Sequence, residues 1–213
     1  MGTIFFDDIK LNHIPEILHE IYIDRIYDPF LIGRQNLVIM DIGANIGLTS
    51  MYFSKFAKIV YAFEPSVQHL PKLQKLVSEN GLTNVKVLPF AISDNTGERK
   101  LYHYSGNPTM HSLTKNDSND FEMVQCISID KFLENENLDH VDFCKLDAEG
   151  EEGKIISSEE FIRNVNKIKT LVGEWHEWDF MSKKFFEETL KRYGYHFKWM
   201  NNVDGNIFTA IKE

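Results

Sequence analysis

Leu37-Val38-Ile39-Met40-Asp41-Ile42-Gly43-Ala44-Asn45-Ile46-Gly47 is the stretch whose reading decides the fold. Its first four residues are all apolar and follow a turn at Gly33 to Asn36, so they read as a strand buried on both faces. Gly43 lets the chain turn tightly and lets a ligand approach the backbone, and Gly47 permits close packing where a helix begins. The open N-terminus of that helix presents unpaired amides. A strand, a glycine loop and a helix in this order form the corner of an open α/β sheet, where ligands bind outside the carboxyl ends of the strands.

The same alternation continues outward. A helix is expected over about Ile46 to Phe56, a strand over Ile59 to Phe63, and a helix over about Ser66 to Glu79, with Leu70, Leu73, Leu76 and Val77 on its apolar side. Pro65 keeps Glu64 extended and starts that helix. A third strand covers Val85 to Leu88. The rhythm then breaks over 98–127, where short strands near Arg99 to Tyr104 and Met123 to Ile127 flank a loop, Ser105 to Asp120, rich in Ser, Asn, Gly and Pro. An insertion of that length is expected to serve as a lid or binding loop. Ser128 caps a helix carrying Ile129, Phe132 and Leu133. Strands at Val141 to Leu146 and Ile168 to Val172 follow, with a helical region at Gly153 to Val165 between them. The helix Met181 to Arg192 precedes two last strands, about Tyr195 to Trp199 and Asn206 to Ile211. The turn Asn201 to Gly205 joins these as an antiparallel hairpin at one sheet edge. Upstream, Ile14, Ile17, Leu18 and Ile21 have helical spacing, with Pro15 in a first turn, and residues 1–36 are expected to cover one end of the core. The 213 residues read as a single domain.

An apolar fraction of 43% and a charged fraction of 26% exclude a disordered chain. No apolar run is long enough for a membrane span, and Asp7 and Asp8 stand where a signal peptide would be basic. Cys126 and Cys144 are too few for a disulfide scaffold and lack metal-ligand spacing, so both are expected as buried small hydrophobes. These features favour a cytoplasmic protein. The net charge of -9 repels a phosphate backbone and argues against a nucleic-acid partner, leaving a small or neutral acceptor.

Spacing selects the nucleoside. A dinucleotide fingerprint requires a second glycine where Asn45 stands, which removes the room for a pyrophosphate, and the G-K-[ST] ending of a phosphate-cradling loop is absent. Glu64, about 20 residues downstream at the next strand end, is placed to accept both ribose hydroxyls of an adenosine. Further acidic groups end later strands: Lys145-Leu146-Asp147-Ala148-Glu149-Gly150 and Glu174-Trp175-His176-Glu177. If these strands are parallel to the first, Asp147, Glu149, Glu174 and His176 emerge at the same edge as Asp41 and Glu64. Helix capping, or a place on the surface, is the ordinary alternative for each. Burying several carboxylates is not needed to fold a sheet, so the convergence points to chemistry. Asp147 or His176 is a candidate general base, the imidazole favoured because it titrates nearer neutral pH. A metal held by Asp147, Glu149, Glu174 and His176 is chemically possible, but the spacing alone is weak evidence, and base catalysis without a divalent ion is expected.

These motifs together resemble the FkbM family of methyltransferases, within the class I S-adenosylmethionine-dependent fold. The resemblance is carried by Asp41 to Gly47, Tyr61-Ala62-Phe63-Glu64-Pro65, Ala91-Ile92-Ser93-Asp94 with Gly97, Ser128-Ile129-Asp130, Lys145 to Gly150, and the pair Glu174 and His176. It implies a three-layer Rossmann-like sheet of order 3-2-1-4-5-7-6, mostly parallel, with strand seven antiparallel. It implies S-adenosylmethionine as cofactor and methylation of a hydroxyl on a small molecule or sugar; an N-methyltransferase or a non-catalytic S-adenosylmethionine-binding protein are the alternatives. Glu64 carries over as the ribose ligand. Asp41, Gly43, Asn45 and Gly47 carry over as the loop around the donor's amino-acid portion, and Ser93 or Asp94 as neighbours of the adenine. Glu152 matches the family glutamate after the acidic block, while Glu151 is expected to add charge at the mouth.

Overall fold

The computed structural model describes residues 18, 20–104, 111–114, 119–200 and 206–212. The expected helical residues Ile14 and Ile17, most of the 105–120 loop and the turn 201–205 lie outside them.

Strand β1 (Leu37–Ile42) is buried at all six positions. Its residues alternate between two cores: Val38, Met40 and Ile42 join one, Leu37 and Ile39 the other. Period-two side chains with both faces covered by helices make three layers. After β1 come α2 (Leu48–Phe53), β2 (Ala57–Phe63), α3 (Leu70–Glu79) and β3 (Val85–Leu88); the short helix α1 (Asp28–Leu31) precedes β1. On the far side of the insertion lie α4 (Ile129–Asn135), β8 (Phe143–Leu146), α5 (Glu152–Ser157), α6 (Glu159–Asn164) and β9 (Thr170–Glu174). The chain closes with α7 (Lys183–Arg192), β10 (His196–Trp199) and β11 (Ile207–Ile211).

The main sheet has the order β10-β11-β9-β8-β1-β2-β3. Counted in chain order this is the expected 3-2-1-4-5-7-6, with β11 antiparallel to both β9 and β10. The insertion builds a second sheet, β4-β7-β5-β6, from β4 (Ala91–Ser93), β5 (Gly97–His103), β6 (His111–Ser112) and β7 (Phe121–Ser128). Its small core contains Ala91, Leu101, Leu113, Val124 and Cys126.

Several boundaries differ from expectation: α2 covers only Leu48–Phe53, α3 begins at Leu70 rather than Ser66, and β8 begins at Phe143 rather than Val141. The helical region after β8 is broken at Ser158, which ends α5 and caps α6 by accepting from the Phe161 amide. Strand β9 runs two residues past Val172 because Gly173 continues the pairing: a Cβ there would lie 1.9 Å from the Leu146 carbonyl oxygen. Ahead of β1, Ile21, Ile26, Tyr27 and Leu31 are buried in the same core cluster as α2. Both cysteines are buried and free. Among the described residues no helix is long and apolar enough to cross a membrane.

Candidate active site

The sheet register sets the site. Ile42 pairs with Phe63 on one side and Leu146 on the other, and Leu146 pairs with Gly173. All four strands are parallel, so the next residues, Gly43, Glu64, Asp147 and Glu174, come off at one edge. A cavity opens there, lined by Gly43, Ala44, Asn45, Glu64, Asp147 and Glu149 among others. Glu174 and Asp147 line an adjoining hollow with Tyr27 and Lys145.

On the β1 side the loop is shaped by two glycines. Gly43 has φ +74, and a Cβ on it would fall 1.9 Å from the Asp147 carbonyl oxygen. Gly47, at φ +95, begins α2 and leaves no room for a Cβ against Leu73. Glu64 is buried and tied to the loop: Oε2 accepts from the Asn45 amide at 2.8 Å and Oε1 from the Ser66 amide at 2.9 Å. Each oxygen can accept a second hydrogen bond, and Glu64 lines the cavity with His69 Nδ1 3.8 Å from Oε1.

Four of the residues read as donor ligands take other places. Asp41 is fully buried and accepts from the hydroxyls of Thr49 and Ser50, 2.7 and 2.5 Å away. It thus anchors the first turn of α2. Gly47 contributes packing rather than cavity surface. Ser93 and Asp94 turn toward Arg99, which is paired with the buried Glu151 through Nη1–Oε2 at 2.7 Å and Nη2–Oε1 at 3.0 Å. Glu151 is consequently not a charge at the mouth. It clamps the second sheet to the start of α5, and the guanidinium and Lys154 hold its carboxyl below the usual range although burial alone would raise it.

The acidic residues do converge. His176 is buried, and its Nε2 lies 3.5 Å from Glu149 Oε2, 3.9 Å from Asp147 Oδ1 and 3.9 Å from Glu174 Oε2. Its Nδ1 is 3.1 Å from Glu152 Oε1, and Glu152 also accepts from the amides of Ala148 and Gly150. Lys145 donates to the carbonyls of Ile42 and Gly43 and pairs with Asp147 at 3.0 Å. Burial opposes its charge, but Asp147 and Asp41 hold it above the usual lysine range. Asp147 is held low by Lys145 and His176 against its own burial. Burial and then the Asp147 charge push Glu149 up to about 8 and Glu174 up to about 7. Burial pulls His176 down, yet the Glu152 hydrogen bond and the neighbouring carboxylates raise it to about 10. Because these carboxylates favour the protonated ring, His176 is no longer preferred over Asp147 as the base. Glu149 sits at φ +51, a left-handed conformation costing a non-glycine residue roughly 1–2 kcal/mol.

Several participants were not singled out from the sequence. His69 and His111 line the cavity near Glu64, their rings 4.5 Å apart, and His111 reaches it only because β6 pairs with β5. Trp178 stands half-exposed beside the carboxylates, 4.9 Å from the His176 ring, with its indole donating to the Glu149 carbonyl.

A family model described as the methyltransferase FkbM domain matches residues 41–197. The chain belongs to the FkbM methyltransferase family. The matched FkbM domain is a methyltransferase with S-adenosylmethionine as its methyl donor. The AMB antimetabolite synthetase AmbE of Pseudomonas aeruginosa is 28% identical over 110 residues, half of this chain, which spans only 5% of that protein's length. Two solved structures share the fold. A methyltransferase FkbM from Methylobacillus flagellatus superposes with a TM-score of 0.57 at 16% identity, over 83% of this chain and 43% of that one. The magnesium protoporphyrin IX methyltransferase of Synechocystis, solved with bound S-adenosylmethionine, gives 0.58 at 10% identity, over 97% of this chain and 86% of its own. Gly43, Asn45 and Glu64 line the FkbM cavity, and the Glu64 carboxylate has the acceptor chemistry that a ribose diol requires.

Proposed function

We propose that this FkbM domain is an O-methyltransferase for a hydroxyl of a small molecule or sugar, with Glu64, Gly43 and Asn45 holding the donor. The observation that carries the reading is the run of carboxylates along the cavity wall. Asp147 and Glu149 line the donor cavity, and Glu174 lines the hollow beside it. An alcohol must lose a proton as it is methylated, whereas an amine brings its own lone pair and has little use for such a wall. When bound, S-adenosylmethionine supplies an electrophilic methyl group, so that the oxygen–carbon bond forms as the carbon–sulfur bond breaks and its electron pair stays on sulfur.

The protein's part is alignment and proton removal. Lys145 fixes Asp147 against the loop, so that wall and loop move as a unit. Glu174 is the most open of the four groups, its side chain 40% exposed against 7% for His176. A proton accepted at its carboxylate can therefore pass to water. Trp178 offers a partly exposed apolar face beside His176, a surface on which the C–H face of a sugar ring can stack, and a small uncharged acceptor also suits a chain of net charge -9.

Labelled methyl transfer to matched panels of sugars, simple alcohols and amines tests this. Hydroxyl acceptors should dominate. Glu174→Gln should lower turnover by about 10²–10⁴-fold with donor affinity intact. Trp178→Ala should raise the KM for a sugar acceptor about 5- to 10-fold, the worth of one stacking contact. Preferential methylation of amines, or donor binding with no transfer at all, would refute the reading.

A further inference from the structure

We propose that Asp147, Glu149 and His176 form a binding site for one divalent cation of the first transition row, and that this cation receives the acceptor hydroxyl. The inference rests on the O-methyltransferase reading for its role, although the site stands on its own geometry. The ligand atoms of the three residues lie within 4.8 Å of one another. Metal–ligand bonds of about 2.0–2.2 Å place adjacent ligand atoms roughly 3–4 Å apart. The separations of His176 Nε2 from Glu149 Oε2, 3.5 Å, and from Asp147 Oδ1, 3.9 Å, match that spacing and are too long or misdirected for hydrogen bonds.

Two further observations point to an ion rather than to a crowd of acids. Glu149 Oε2 is inaccessible to water and has no hydrogen-bond partner, an arrangement that is costly for a carboxylate oxygen unless a cation satisfies it. His176 is buried, with Nε2 aimed at the carboxylates and Nδ1 held by Glu152. A carboxylate on the far nitrogen fixes the ring and its tautomer and raises its basicity, the arrangement found behind metal-ligating imidazoles. Lys145 is already shared between Asp147 and Asp41, so the carboxyls of Glu149, Glu152 and Glu174 face only the one imidazole, whose Nε2 proton a bound cation would displace. One imidazole with two carboxylates suits Mn²⁺ and its neighbours better than Ca²⁺. Glu174 stays outside the ligand set, free to take the proton of a hydroxyl acidified by the ion.

The test is a Mn²⁺ titration of the chelator-treated full chain followed by electron paramagnetic resonance, with calorimetry of S-adenosylmethionine binding on the same samples. One Mn²⁺ per chain is expected. His176→Ala and Glu149→Gln should each weaken it by more than 10-fold, and Glu152→Gln by about 10–100-fold through the ring orientation. Glu174→Gln should leave it within about 3-fold. Thermal unfolding confirms that each variant is folded, and the milder Glu149→Gln keeps the test usable if His176→Ala is not. Absence of stoichiometric Mn²⁺ on a protein that binds S-adenosylmethionine normally would overturn the cation site and leave the O-methyltransferase reading standing. Mn²⁺ binding untouched by Glu149→Gln and His176→Ala would overturn it as well. Site-specific Mn²⁺ binding together with exclusive amine methylation would support the site while removing the role assigned to it.

Discussion

Replacing Glu64 by glutamine changes one atom and removes one charge, and the structure predicts two separable effects. The carboxylate accepts one backbone amide on each oxygen, Asn45 at 2.8 Å and Ser66 at 2.9 Å. A glutamine has one carbonyl oxygen and one NH₂, so whichever way the amide turns, one of the two backbone N–H groups faces another donor. At a site 5% exposed, an unsatisfied donor costs about 1–3 kcal/mol, which should appear as lost stability. The donor's ribose diol meanwhile exchanges charge-assisted hydrogen bonds for neutral ones about half as strong. Two such exchanges amount to about 2–3 kcal/mol, a roughly 30- to 150-fold rise in Kd. Calorimetry with the demethylated donor product reads the affinity, and chemical denaturation without ligand reads the stability. A folded Glu64→Gln protein that binds as tightly as the parent would remove Glu64 from the donor site. Unchanged ligand-free stability would show that the two backbone contacts do not carry the energy assigned to them.

Gly43→Ala should lower stability by at least about 2 kcal/mol and abolish measurable donor binding, because φ is +74 and the new Cβ would fall on the Asp147 carbonyl. Parental stability and affinity would mean that the β1 and β8 tips part freely. Glu151→Gln should cost about 2–4 kcal/mol in chemical denaturation, below the full cost of breaking a buried ion pair because Arg99 and Lys154 are partly exposed and can rehydrate. The same carboxyl predicts a pH effect. Its folded value lies below the ordinary 4.5, so its stabilisation is complete above that pH and is lost as pH falls through the folded value. Parent and Glu151→Gln should therefore converge in stability below about pH 4.5, and parallel curves down to pH 3 would contradict the assignment.

Where a signal is local, it was legible in the chain. Glycines at fixed offsets after an apolar run, and Glu64 before a proline, report on a strand end and the turn beyond it. Those features marked the strand ends that share one sheet edge, while the sheet order followed from the family resemblance. The misplaced residues are settled by partners far away in sequence. Ser93 lies 58 residues from Glu151 and Arg99 lies 52, and no periodicity announces that this pair would draw Ser93 and Asp94 away from the cavity. Glu151 and Glu152 are adjacent and chemically alike, yet one clamps the second sheet and the other orients His176. Which does which depends on how α5 is rotated against β9, a tertiary fact. The upward shift of the imidazole has the same origin, since its unperturbed titration says nothing of Glu152 behind it. Trp178, which follows His176 by two residues, carried no signal beyond being aromatic.

Lys145 spans the two halves of this site. Its ammonium donates to the carbonyls of Ile42 and Gly43 and pairs with Asp147 on the other side. One side chain is thus a structural member common to the donor loop and the carboxylate wall. Substitutions in the two halves cannot be independent: a change that shifts the loop alters the load on Asp147 through this strut, and the converse holds. Free-energy effects of paired substitutions, one at Gly43 and one at Asp147, should not add, and replacing Lys145 by methionine should reduce the shortfall to the part due to the direct contact of Gly43 with the Asp147 carbonyl. Tuning such an enzyme toward a new acceptor by altering its wall will also retune its hold on the donor.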